Sequence, residues 1–305
     1  MMWISFALLS ALCLGFYDVF KKQSLSGNAV VPVLFVNTLL CALIFVPLMV
    51  SSALGYITAE SSLYMATPTW EVHRHILLKA IIVLASWLCG YFGIKHLPLT
   101  IAGPINSTRP VLTLLGALFI YGEVLNGWQW IGVVLAIASV YLLSRSGRRE
   151  GIHFAHNKHI LLVALAAVLG STSGLYDKHL LAPIASGGLA LPKLEVQGYY
   201  NLYQCAMMLI ILAIVWWPRR SVLRFEWRWS IPLIALFLTL TDLSYFYAMS
   251  QEGALVAVVS MVRRSNVLVS FAIGVFFLRE ANAKRKAIDL LLVLLSLICL
   301  WLGSR

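Results

Sequence analysis

Residues 98–121 read PLTIAGPINSTRPVLTLLGALFIY. The run is long and apolar enough to cross a bilayer, which takes about 20 residues. It nevertheless carries Arg109, with Asn106 beside it and two internal prolines, Pro104 and Pro110. Arg109 falls about 11 residues in, so ~16 Å deep at 1.5 Å per residue, near the bilayer midplane. A central arginine costs roughly 2.5–3.5 kcal/mol on insertion scales. It is kept where it meets water, a counter-ion or a ligand rather than lipid. Each proline removes a backbone donor and frees a carbonyl one turn earlier. Such a break is tolerated against protein or a water-filled cavity.

A second run, ALVAVVSMVRRSNVLVSFAIGVFFL at 254–278, carries Arg263 and Arg264 at the same depth. Aligning Glu123 on Glu280 without gaps pairs Asn106 with Arg263, Arg109 with Asn266 and Thr113 with Ser270. Each trio is spaced i, i+3, i+7, which is one helix face. Both runs thus carry an Asn/Arg/hydroxyl stripe. Arg263 lies on that stripe and is expected on the cavity in preference to Arg264.

The surrounding chain is of the same kind. It has 305 residues, 61% hydrophobic and 11% charged, against about 25% charged in a soluble domain. Ten apolar spans follow, roughly 3–22, 30–50, 76–95, 98–120, 127–145, 160–180, 197–217, 230–249, 254–278 and 286–303. The expected fold is all-α and polytopic: ten transmembrane helices in an integral membrane protein. Five cysteines, Cys13, Cys41, Cys89, Cys205 and Cys299, lie in apolar segments without CxxC spacing and read as packing residues. The first residues have no positive n-region and no cleavage site, and read as a retained helix.

The spans repeat. GFYDVFKK (15–22) and GLYDKHLL (174–181) align Tyr17 with Tyr176 and Asp18 with Asp177. Span two matches span seven through Asn37 with Asn201 and Cys41 with Cys205, and span three matches span eight through Tyr91-Phe92 with Tyr245-Phe246. The organisation is two five-helix units, 1–148 and 149–305, forming one membrane domain. Five is odd, so the second unit enters the bilayer inverted, as in many secondary transporters. Asp18 and Asp177 then end equivalent helices at opposite faces.

These acids have two readings. They neutralise charge at the interface, Asp18 with Lys21 and Lys22 at i+3 and i+4, Asp177 beside Lys178 and His179. Alternatively they gate the two faces, together with Tyr17 and Tyr176. Asp242 is the most central acid; it either pairs with Arg263 or Arg264 or binds a proton or amine. Arg109 suits a carboxylate or phosphate. Gln197, Asn201 and Gln204 share one face of span seven, with Asn37 as their counterpart in span two; they read as interhelical glue or ligand contacts. Ala11/Gly15 and Gly170/Gly174 read as small-residue helix contacts. Glu123 and Glu280 favour the helix N-termini that follow them.

Net charge is +11, and the basic residues concentrate in the odd-numbered links. Positive-inside topology explains this better than nucleic acid, and it puts those links in the cytoplasm and both termini outside. His153, His156 and His159 lack an acid or Cys to complete a metal geometry. Asn106-Ser107-Thr108 matches a glycosylation sequon but lies mid-membrane, and no GxxxxGK is present for ATP-driven pumping. No cofactor is implied.

RPVLTLLGALFIYGE (109–123), followed by WQWIGVVLAIASVYLL (128–143), and a weaker copy ending FFLRE (276–280), resemble the EamA-type branch of the drug/metabolite transporter superfamily. In the second copy Val267 replaces the proline and Asp289 stands where Gly132 does. The resemblance implies a secondary transporter of small metabolites, frequently an exporter, built as a basket with a central cavity. It also implies cytoplasmic termini, in disagreement with the loop charges. The resulting expectation is alternating access around a midplane cavity in a bacterial cytoplasmic (inner) membrane. Arg109, Arg263, Asn106, Asn266, Asn201, Gln204, Tyr245 and Asn37 contact a small-molecule substrate. Asp242, Asp18, Asp177, Arg264, Tyr17 and Tyr176 are the coupling or gating candidates. Proton coupling and a monomeric or homodimeric state stay open. The competing readings are a membrane enzyme or flippase acting on a lipid or isoprenoid phosphate, and a non-transporting sensor.

Overall fold

The computed structural model describes residues 2–106, 108–121, 126–148, 157–181, 184, 188–250, 259, 262–276 and 283–303. The apolar runs become helices in chain order. They are α1 (Met2–Leu25), α2 (Val30–Ala53), α3 (Trp70–His96), α4 (Leu99–Asn106), α5 (Arg109–Tyr121), α6 (Gly127–Arg148), α7 (Lys158–Leu181), α8 (Lys193–Ile211), α9 (Ser230–Ser250), α10 (Asn266–Phe276) and α11 (Ala283–Gly303). Among the described residues there is no strand. After α8 the chain continues through a π turn, Leu212–Trp216, and a 3-10 turn, Trp217–Arg219.

Six helical segments are long and apolar enough to cross a membrane: Ile4–Leu25, Val30–Ala53, Trp70–His96, Lys158–Leu181, Lys193–Arg219 and Ser230–Ala248. Stretches in α6 and α11, Gly127–Ser139 and Leu290–Gly303, are apolar but shorter. The chain is a polytopic helical membrane protein. The expected span four is two helices, because the chain breaks between α4 and α5. The expected link 51–75 is shortened, because α3 begins at Trp70.

α4 ends at Asn106 and α5 begins at Arg109, between the two prolines. Thr108 donates its hydroxyl to the Ile105 carbonyl at 2.7 Å, and its backbone N–H to the same oxygen at 3.2 Å. Ser265, ahead of α10, does the same to Val262 at 2.7 and 3.0 Å. No proline stands near this second break. A hydroxyl bonded back to its own turn competes with the helical ladder, and here it does so in both runs.

Helix packing is closest between α1 and α9, α3 and α7, and α6 and α11, with α2 against α8; α1 also meets α10, and α4 and α5 meet α7. Gly15 lets α1 approach α10: an added Cβ would lie 2.5 Å from Val269 Cβ and 3.3 Å from the Asn266 carbonyl oxygen. Apart from lipid, small residues and buried hydroxyls hold such helices together. Ser10 donates to the Thr241 carbonyl at 2.8 Å, joining α1 to α9, and Ser86 donates to the Ala166 carbonyl at 2.8 Å, joining α3 to α7. Leu14, Leu34, Leu84, Tyr91, Ile234 and Leu238 build a buried cluster among α1, α2, α3 and α9.

Candidate functional site

A cavity of about 290 Å³ lies where α1, α3, the α4/α5 break, α7, α9 and residues 263–266 converge. The breaks explain its position. They put Asn106, Arg109 and Pro110 on one wall, and Arg263, Arg264 and Asn266 on another. Of the sequence-expected residues, Tyr17, Asp18, Asn106, Arg109, Asp177, Asp242, Tyr245, Arg263, Arg264 and Asn266 line it. Both arginines of span nine are therefore on the wall, not Arg263 alone.

Three carboxylates and five cations face this space. Asp18 takes Lys21 at 2.7 Å on one oxygen and the Asn266 amide at 3.0 Å on the other. Lys22 donates to the carbonyls of Ile94, Lys95 and Leu97 at 2.8, 3.3 and 2.5 Å, where the end of α3 leaves acceptors free. Asp177 takes Lys79, which reaches it from α3. Asp242 accepts from Arg263 at 2.5 Å and from the Tyr200 hydroxyl at 3.0 Å. Arg263 also lies over the Tyr245 ring, 4.4 Å from its centroid.

Arg109 and Arg264 make no ion pair among the described residues. Arg109 donates to Asn106 Oδ1 at 3.2 Å, and its buried Nε has no partner. Its guanidinium rests against Gly170, where an added Cβ would lie 2.6 Å from Cζ. Gly170 and Gly174 were expected as small helix contacts. Both instead line the cavity, and nothing comes within 4 Å of a Cβ placed at Gly174.

Asp18 and Asp177 share this one cavity. Lys79, the partner of Asp177, and Tyr91, which lies 5.5 Å from Lys21 Nζ, are about 18 Å apart along α3 at 1.5 Å per residue. Asp18 and Asp177 accordingly mark its two ends.

Four expected residues lie elsewhere. Asn37, Asn201 and Gln204 are buried and do not line the cavity. They sit on α2 and α8, which pack on each other. Their neighbour Tyr200 points into the cavity instead. The Asn37 Nδ2 and both amide atoms of Gln204 lack partners. Tyr176 bonds to His75 Nδ1 at 2.9 Å rather than lining the cavity.

Lys79, Lys21, Tyr91 and Tyr200 also line the cavity and were not among the expected site residues, although Lys21 was expected beside Asp18. Lys79 was the most accessible of these, a lone cation in the apolar run HILLKAIIVL at 75–84, since intramembrane ionisable residues mark sites. Glu123, Glu280, Ser107, His153 and His156 lie outside the described residues. His159 stacks on His96 with ring centroids 4.1 Å apart. No group of three or more His, Cys, Asp or Glu among the described residues could hold a metal.

Residues 1–145 match the sequence model of the EamA-like transporter family, part of the drug/metabolite transporter superfamily. No curated protein matches the chain. A solved structure described as "Crystal structure of protein" superposes with a TM-score of 0.64, covering 99% of each chain at 17% identity. That likeness concerns the fold alone.

Proposed function

We propose, from the match of residues 1–145 to the EamA-like transporter family, that this chain is a secondary transporter. It moves a small carboxylate- or phosphate-bearing metabolite out of the cell by alternating access. The family's members are transporters and not enzymes. The observation that carries the reading is the charged cavity, with the guanidinium of Arg109 turned into it and without an acid partner among the described residues. Intramembrane charge of this kind marks substrate pathways.

The two halves, 1–148 and 149–305, act as inverted repeats. Exchanging them carries the α1–α9 packing into α7–α3 and maps α2–α8 and α6–α11 onto themselves, all of which are close packings. The equivalent breaks at Thr108 and Ser265 support the same reading. Helices broken near the midplane at the repeat interface are where such carriers bind their cargo. Asp18 and Asp177 gate the two ends. Asp242 is the coupling residue: a proton on it releases Arg263. The loop charges favour a bacterial cytoplasmic membrane with basic links inside.

A thermal-shift screen of purified protein against small metabolites tests the reading, because a ligand that binds the folded state raises its melting temperature. Hits lost in Arg109→Gln, and moved across proteoliposome membranes by the parent protein, are expected. Hits that bind but are never moved would make the chain a sensor.

A further inference from the structure

The pairing of charges inside the cavity narrows the ligand. We propose that the cavity takes a small dianion, a dicarboxylate or a phosphate monoester, held between Arg109 and Arg264. The proposal rests on the carrier reading above and goes beyond it in fixing the ligand's charge and in naming which arginines hold it.

Three of the five wall cations are already matched: Lys21 by Asp18, Lys79 by Asp177 and Arg263 by Asp242. Among the described residues, Arg109 and Arg264 are left without a carboxylate. Asp18 interacts electrostatically with both, but its two oxygens are engaged by Lys21 and Asn266. Among the described residues the cavity thus holds two more positive than negative groups. Inside a membrane protein such an excess calls for anions, and the guanidinium fork fits carboxylate and phosphate oxygens in pairs.

The same count argues against a zwitterion. Every carboxylate on the wall carries a cation partner, so a ligand ammonium would have to displace Lys79, Lys21 or Arg263. The local geometry is arranged for an anion at Arg109. Its Nε is buried and unpartnered, and Gly170 leaves room for the whole guanidinium. Thr113, one turn further along α5, and Ser173 add neutral donors to the wall. About 290 Å³ suits a small metabolite.

The test is thermal stabilisation of the purified full chain at pH 8 and constant ionic strength. Four probes are compared: succinate and glycerol 3-phosphate as dianions, butyrate as a monoanion, and leucine as a zwitterion. Stabilisation by at least one dianion is expected, exceeding that by butyrate and leucine. Apparent affinity should fall on the order of tenfold or more in Arg109→Gln and in Arg264→Gln. Arg219→Gln, an exposed residue outside the cavity, should leave it unchanged. Apo melting of each variant confirms its fold. The succinate and glycerol 3-phosphate arms tell carboxylate from phosphate. Equal or stronger stabilisation by butyrate or leucine overturns the proposal and, if lost in Arg109→Gln, leaves the carrier reading standing. Silence from both dianions, or dianion binding indifferent to both substitutions, also overturns it. Dianion binding without counterflow in proteoliposomes keeps the site and sinks the carrier.

Discussion

The guanidinium of Arg109 fills the space that a side chain at Gly170 would occupy. A Cβ there would lie 2.6 Å from Cζ, 2.6 Å from Nη1 and 2.9 Å from Nε. One glycine on α7 therefore sets where the charge of α5 can sit. The two belong to different halves of the chain, so the site is a property of their assembly.

Gly170→Ala should displace Arg109 with little loss of fold, because the methyl meets the far end of a flexible side chain. The expected outcome is an apo melting temperature close to the parent and a ligand response as weak as that of Arg109→Gln. Gly174→Ala, with open space around it, should keep its response. Thermal-shift titrations of both variants check this, and a full response in Gly170→Ala would separate Arg109's position from binding.

Gly15→Ala should act on stability instead. Its Cβ would lie 2.5 Å from that of Val269, so α1 and α10 must separate. Overpacking of this kind costs roughly 1–3 kcal/mol. Unfolding in SDS titrations should report that loss, with ligand affinity of the folded fraction unchanged.

Asp242→Asn leaves Arg263 without its carboxylate in a largely buried place. Breaking such a pair costs about 3–5 kcal/mol. The double variant Asp242→Asn/Arg263→Gln should recover much of it, giving a coupling energy above ~1 kcal/mol in a double-mutant cycle. Additive losses would mean that the two residues act separately. If Asp242 couples transport to protons, the folded double variant keeps substrate exchange but loses its response to a pH gradient in proteoliposomes.

Much of the fold was legible because period and length of apolar runs dictate membrane helices. The boundaries expected from sequence fall within a few residues of α1, α2, α7 and α9. That the two central runs carry polar groups to one place was legible too, since Asn106, Arg109, Arg263 and Asn266 all line the cavity. What pairs with what was not. Lys21 and Lys22 both lie within helical reach of Asp18, yet one bonds it and the other caps α3, a choice made by the neighbouring helix. Lys79 meets Asp177 across sequence-distant helices, and Lys178 beside it in sequence gave no hint of that. Asn37, Asn201 and Gln204 have the polarity of a site, but helix rotation buries them away from the cavity. Sequence periodicity gives a face, and only packing says what the face meets.

Pro104 and Pro110 were the expected causes of the span-four break. Ser265 makes an equivalent break with Val267 in the proline's place. Pro110→Ala should therefore cost no more than about 1 kcal/mol, the usual unfolded-state effect of losing a proline. It should keep its ligand response. A variant that folds but no longer binds would assign the break to the proline and not to the Thr108 hydroxyl.

The central claim is that one cavity, ended by Asp18 and Asp177, opens to each side of the membrane in turn. Gly174→Cys in a background lacking the five native cysteines places a thiol on the cavity wall where space is open. Its reaction with a membrane-impermeant maleimide, in right-side-out and inside-out vesicles, tests the claim most directly. Labelling from both sides is expected, with a bound ligand changing the ratio of the two rates. Labelling from one side only, at a rate no ligand alters, would contradict it.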